Sequence, residues 1–253
     1  MVKLAHYVYI SRRRSLCFKP IKPVCQFVDD LETMDNWVKS DYYTYTMVSK
    51  AHPCADVKSG SKCALPEELQ GSKAWHSAVV TKNCQNDVGE LKIYLMAHGF
   101  WFDTSELEWK CLTRWDLDYY GLCVYFHIIF WHNPNMFAYW EIYIDHETFY
   151  DNGIVVRDSD KNSLWSSSTY GDSFDFTFPY WIHVGLRLED MGTYYKVTRY
   201  VDDPVNVSWS EEIDKRDIPY DTKGAWGFGV YYQDFQTDDH MHFGAYDLAE
   251  VYL

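Results

Sequence analysis

From Glu90 to Tyr252 the chain alternates short aromatic and β-branched stretches with tight clusters of Asn, Asp, Gly and Pro, and it scarcely repeats with a helical period. Such a pattern constrains the fold more than any other feature, because strands read as runs of four to eight residues closed by turn chemistry. Tyr42–Val48, Glu90–Met96, Glu106–Cys111, Gly121–Trp131, Phe137–Asp145, Gly153–Arg157, Phe174–Phe178, Trp181–Leu188, Tyr194–Val201, Ala225–Tyr232 and His242–Tyr252 all read as β segments. Asn133-Pro134-Asn135, Asp151-Asn152-Gly153, Met191-Gly192, Asp202-Asp203-Pro204 and Asp221–Gly224 supply turns between them. The best helical candidate is the short Pro66–Gln70, where Pro suits a first turn. Many short strands at this spacing imply an all-β sandwich or jelly roll of two antiparallel sheets. With no repeat and no low-complexity linker, the expectation is one domain over 29–253, preceded by an irregular segment over 1–28.

A chain of 253 residues can bury a core without disulfides. Its aromatic share, 19%, suits strands, and Tyr and Trp also line sugar-binding clefts, with an apolar ring and a polar tip. The formal charge of −14 repels a phosphate backbone, which argues against nucleic acid as a partner. Arg12-Arg13-Arg14 is a short basic cluster that fits a solvated tail. Seven cysteines lie at or before Cys123 with no CxxC spacing, so zinc and redox motifs are not indicated. One or two bridges, or scattered thiols, both remain compatible with that count. Asn206-Val207-Ser208 forms a glycosylation sequon. No apolar run reaches membrane-spanning length, and the first residues do not form a clear export signal. The cysteines and sequon favour a secreted or extracellular setting.

The stretch YWEIYIDHETF, Tyr139 to Phe149, concentrates acids among aromatics. On an extended strand, Glu141, Tyr143, Asp145 and Glu147 share one face and Ile142, Ile144 and His146 the other. The alternatives are a solvated strand face and an acidic site. In a site, crowding would raise at least one carboxyl pKa.

Several landmarks resemble the concanavalin-A-like jelly rolls. Phe27-Val28-Asp29-Asp30-Leu31 followed by Trp37-Val38-Lys39-Ser40-Asp41 is similar to their F-x-D-D-F strand and W-x-x-S-D turn. Tyr120-Gly121-Leu122-Cys123-Val124, Phe178 to Leu186, Val201-Asp202-Asp203 and the closing Asp247 to Tyr252 match later strands and turns in order. In laminarinase- and lichenase-type glycoside hydrolases of this fold, an E-x-D-x-E strand carries nucleophile and acid/base. Tyr143-Ile144-Asp145-His146-Glu147 resembles it, with Tyr143 in the nucleophile position. One register back, Glu141, Tyr143 and Asp145 take the three places. Retaining hydrolysis requires two carboxyl groups about 5–5.5 Å apart.

The alginate-lyase-type jelly rolls carry Y-F-K-A-G-x-Y-x-Q near the C-terminus. Ala225 to Gln233 resembles it, matching at Gly229, Tyr231 and Gln233. That likeness implies β-elimination on a uronate polymer, with Tyr231 and Gln233 as catalytic residues and Arg114 binding substrate. Trp115, Trp131, Trp140 and Tyr143 are the sugar-contacting candidates under either chemistry. The resemblance requires no organic cofactor but implies a structural calcium, with Asp29, Asp30 and Asp247 in suggestive places. His240-Met241-His242 beside Asp238 and Asp239 is a second, generic metal pattern. The functional expectation is a monomeric polysaccharide-acting protein. Hydrolysis of a β-glucan-like chain leads; uronate elimination and non-catalytic, lectin-like binding are the alternatives.

Overall fold

The computed structural model describes residues 25–40, 47–50, 57–66, 75–111, 123–168, 173–177, 180–232 and 240–253. Among them no helix occurs. The strands are β1 (Gln26–Asp29), β2 (Trp37–Lys39), β3 (Met47–Lys50), β4 (Cys63–Pro66), β5 (Trp75–Asn86), β6 (Gly89–Asp103), β7 (Glu108–Cys111), β8 (Cys123–Asn133) and β9 (Met136–Asp145). They continue with β10 (Thr148–Asp158), β11 (Ser163–Ser166), β12 (Ser173–Asp175), β13 (Ile182–Asp190), β14 (Tyr194–Asp203), β15 (Val207–Asp214), β16 (Gly224–Tyr232) and β17 (His240–Tyr252).

Two antiparallel sheets face each other, the jelly-roll sandwich that the strand pattern implied. The first runs β15-β14-β13-β6-β17-β4-β3, with β1 on β17 and β7 on β6. The second runs β11-β10-β9-β8-β16-β5-β2, with β12 on β10. Leu91, Ile93 and Leu95 of the first sheet and Phe126, Ile128, Ile142 and Phe228 of the second alternate inward to make one core. Tyr246, fully buried, crosses that core from β17 and donates its hydroxyl to the Gly229 carbonyl at 2.6 Å, tying the two sheets together beneath β16. The Cys25–Cys84 disulfide is a second link, from the residue preceding β1 to β5 of the opposite sheet. Cys63 is buried.

Two expectations change. Gln26–Asp29 pairs with Ala249–Tyr252, so sheet begins inside the segment expected to be irregular. Pro66 closes strand β4 rather than opening a helix; residues 67–70 lie outside the described part.

Two irregularities position side chains. Between Phe130 and Asn133 the β8–β9 register shifts, and Trp131 takes a positive φ of 52°. The bulge turns Trp131 inward beside Phe130 instead of leaving it on the alternate face. Between Asp151 and Ile154 the β9–β10 register shifts as well, with Gly153 at φ 79°, where glycine meets no Cβ penalty.

Candidate functional site on the outer face of the second sheet

On β9 the alternation runs as the sequence implied as far as Asp145. Ile142 and Ile144 are buried in the core, while Glu141, Tyr143 and Asp145 face outward, half-buried. The strand then ends. Asp145 pairs with Thr148, and His146 and Glu147 form a two-residue hairpin turn with His146 at φ 52°. Glu147 therefore does not continue the acidic face, which corrects the expected placement.

The remaining acids are drawn apart rather than together. Asp145 Oδ1 lies 2.6 Å from His146 Nδ1 at the turn. Glu141 Oε2 lies 3.4 Å from His127 Nε2 on β8, and its Oε1 accepts from Asn152 Nδ2 at 3.2 Å on β10. Glu141 and Asp145 are four residues apart on an extended strand, roughly 13 Å at Cα. Burial pushes the Glu141 carboxyl upward, but His127, Asn152 and Arg157 outweigh it and hold the pKa below the ordinary glutamate range. The upward shift expected of a crowded acid catalyst is thus reversed at Glu141. A carboxylate in this state accepts hydrogen bonds or acts as a base; it is a poor proton donor at neutral pH.

Beside this acid runs a row of tyrosines in direct register. Tyr231 of β16 pairs with Tyr125 of β8, Tyr125 with Tyr143 of β9, and Tyr143 with Tyr150 of β10. Ring centroids are 5.7, 4.6 and 5.5 Å apart along the row. Tyr125 and Tyr143 are stacked, with an interplanar angle of 25°. Side chains stand roughly perpendicular to a sheet, so rings stacked across strands present edges and hydroxyl tips outward and spend their faces on each other. The next row across the sheet is Ala78, Gly229, His127 and Glu141, with Asn152 bonded to Glu141. Beyond it the face becomes apolar and closed: Val80, Ile129, Phe137, Tyr139 and Ala225 form a second buried cluster. There the Ser40 hydroxyl meets His132 Nε2 at 2.7 Å. The half-open part of this face is therefore the tyrosine row and its Glu141 flank.

Other sequence candidates fall elsewhere. Trp131 and Trp140 are fully buried inside the sandwich, donating through Nε1 to the Asp87 carbonyl and to Asp151 Oδ1, both at 2.8 Å. Neither offers a ring to a sugar, which corrects that expectation. Arg114, Trp115, Gln233, Asp238 and Asp239 lie outside the described residues, as do the side chains of His240 and His242.

Asp29 and Asp247 are satisfied by donors. Asp29 accepts from Leu31 N (2.8 Å), Asn36 Nδ2 (2.8 Å) and Trp37 Nε1 (3.0 Å). Asp247 accepts from Lys58 N (2.7 Å), Ser59 N (2.9 Å) and Leu248 N (2.7 Å). Carboxylates ringed by N–H groups pin loops and have their lone pairs turned toward protein donors, so these two do not fit calcium ligation. No group of three or more potential metal ligands occurs among the described residues. Nor is any described helix long and apolar enough to cross a membrane.

One cluster was not read from the sequence. Behind the Asp151–Ile154 bulge, Arg199 of β14 reaches across the core, its Nη2 3.3 Å from Asp151 Oδ2 and its Nη1 3.1 Å from Glu211 Oε1. Ser167 Oγ donates to Glu211 Oε1 at 2.8 Å and accepts from Ile154 N at 2.6 Å, and Gly153 N donates to Asp151 Oδ1 at 2.9 Å. Asp151 precedes Asn152, so this interior network fixes the bulge that sets Asn152 against Glu141.

No protein-family model matches this sequence, and no curated protein matches it. By structure the chain is similar to a legume lectin-like domain from Entamoeba histolytica, at 8% identity and TM-score 0.42, covering 92% of this chain and 99% of that one. It is similar to lectin II from Ulex europaeus, at 8% identity and TM-score 0.43, covering 92% and 100%. An engineered GH43 glycoside hydrolase matches at 9% identity and TM-score 0.44, covering 90% of this chain and 41% of that one. The similarity is one of layout, and no residue role passes from them to this chain.

Proposed function

We propose that this protein binds a glycan without cleaving it, along the tyrosine row on the outer face of the second sheet. The observation that carries this reading is the in-register line Tyr231–Tyr125–Tyr143–Tyr150 with Glu141 and Asn152 beside it. Three inter-strand steps span about 14 Å, enough to underlie several sugar rings. Phenol tips, a carboxylate and a carboxamide suit a ligand dense in hydroxyl groups, because each sugar hydroxyl both donates and accepts. The acid pair needed for retaining hydrolysis does not support the enzymatic alternative. Tyr143 occupies the nucleophile position, Glu147 sits in the turn, and Glu141 is held ionised by its neighbours.

The test is binding of the full chain to soluble β-glucan and alginate by calorimetry, with reducing ends and the ultraviolet absorbance of unsaturated uronate followed in parallel. Saturable binding with no product is expected. Tyr143→Phe keeps the stacked ring and removes its hydroxyl, and should weaken binding roughly fivefold, the worth of about 1 kcal/mol for one neutral hydrogen bond. Reducing ends that vanish in Glu141→Gln would replace this reading with hydrolysis. Rising absorbance lost in Tyr231→Phe would replace it with elimination.

A further inference from the structure

We propose that Asn206 carries an N-linked oligosaccharide. The triplet Asn206-Val207-Ser208 is the acceptor sequence, and it sits where β15 begins, with Asn206 and Ser208 both exposed. Asn206 precedes the paired residues; the β14 contact starts at Val207 opposite Val201. Its side chain points into no packed interface that a bulky sugar would disrupt. Among the described residues β15 pairs on one side only, as the outermost strand of the first sheet. A hydrated sugar at the start of such a strand hinders a second chain from adding to the open edge, a liability that sheet proteins must otherwise blunt with charge. The edge already carries Glu211, Glu212 and Asp214 toward its other end, so the sugar guards the end those acids leave uncovered.

A separate observation fits the setting that this chemistry requires. The Cys25–Cys84 bond joins the two sheets, and such structural disulfides form and persist in oxidising compartments, among them the endoplasmic reticulum lumen in which asparagine is glycosylated. The modification site belongs to the first sheet, whereas the tyrosine row belongs to the second, so an attached sugar leaves that row to its own ligand.

The full chain is directed through the secretory pathway of a eukaryotic cell, and its intact mass is read before and after peptide N-glycosidase. The expected result is one oligosaccharide released, with Asn206 converted to aspartate in the mapped peptide and the Cys25–Cys84 bond present in the same sample. Asn206→Gln and Ser208→Ala should both abolish the shift, whereas Ser208→Thr should keep it. Unmodified Asn206 in secreted, disulfide-bonded protein would overturn the proposal.

Discussion

Replacing Arg199 with methionine isolates what the buried ion cluster does. Arg199 is 3% exposed and its guanidinium faces two carboxylates, Asp151 at 1% exposure and the partly covered Glu211. Removing the cation leaves Asp151 with the Trp140 and Gly153 donors and Glu211 with Ser167, but no positive charge in the cluster. Breaking a buried pair from one side costs about 3–5 kcal/mol. For a chain of this size that is a fall in melting temperature of roughly 6–10 °C. Burial already raises the Glu211 pKa, against the pull of Arg199, so without Arg199 it rises further. A carboxyl whose folded pKa exceeds its unfolded value makes the folded state bind more protons between the two, so stability falls as pH rises through that window. Arg199→Met should therefore lose most at pH 8 and least near pH 5, in urea unfolding followed by circular dichroism. The triple variant Arg199→Met, Asp151→Asn, Glu211→Gln should regain most of the loss, because neutral groups need no counter-charge. A single-variant loss below about 1 kcal/mol, or a triple variant no better than the single one at any pH, would refute the reasoning.

Three further outcomes follow from the same geometry. Cys25→Ala with Cys84→Ala should lower unfolding free energy by about 4 kcal/mol, the loop-closure value for a cross-link of this span, measured by urea unfolding against the oxidised protein. Burial lifts the Asp247 pKa to about 6 from 3.8 despite the N–H groups of Ser59, Lys58 and Leu248. Its contribution to stability therefore falls as pH rises across that window, and Asp247→Asn should flatten this part of the thermal-unfolding profile relative to the unmodified protein. Glu141 shifts the opposite way, so its contribution is present above the ordinary glutamate value of 4.5 and lost on acidification. Glu141→Gln should destabilise at pH 7 but not at pH 3, a difference that calorimetric scans resolve.

The strand inventory was legible because turn residues and β-branched runs act locally. Ile142 and Ile144 inward with Glu141 and Tyr143 outward followed from period two alone. Strands β4, β5, β11 and β15 went unread; in β15, Val207–Asp214 alternates polar and apolar residues, but three acids masked it. The site was legible only in part. Extending the strand through Glu147 missed a hairpin whose positive φ falls on His146, a residue with no strong turn signature. With that turn located, Tyr143 opposite Tyr150 follows by counting. Tyr125 opposite Tyr143 does not, because it needs the bulge at Trp131, which no local residue preference announces. The same bulge explains why Trp131 was expected outside. Arg199 and Asp151 meet across sheets 48 positions apart in the chain, a contact beyond any pattern of spacing.

The bulge after Phe130 gives the β8–β9 hairpin one point of slack in length, because two residues of β8, Trp131 and His132, fill the step opposite the single Phe137 of β9. Losing one of the two closes the ladder with Phe130 still opposite Ala138 and Tyr125 still opposite Tyr143, whereas a residue lost between Tyr125 and Phe130 would shift one part of the strand by one step against the other and turn core side chains outward. Natural variants of this chain should therefore lose a residue at Trp131–His132 more readily than elsewhere along β8, keeping the tyrosine row while giving up the inward-turned indole.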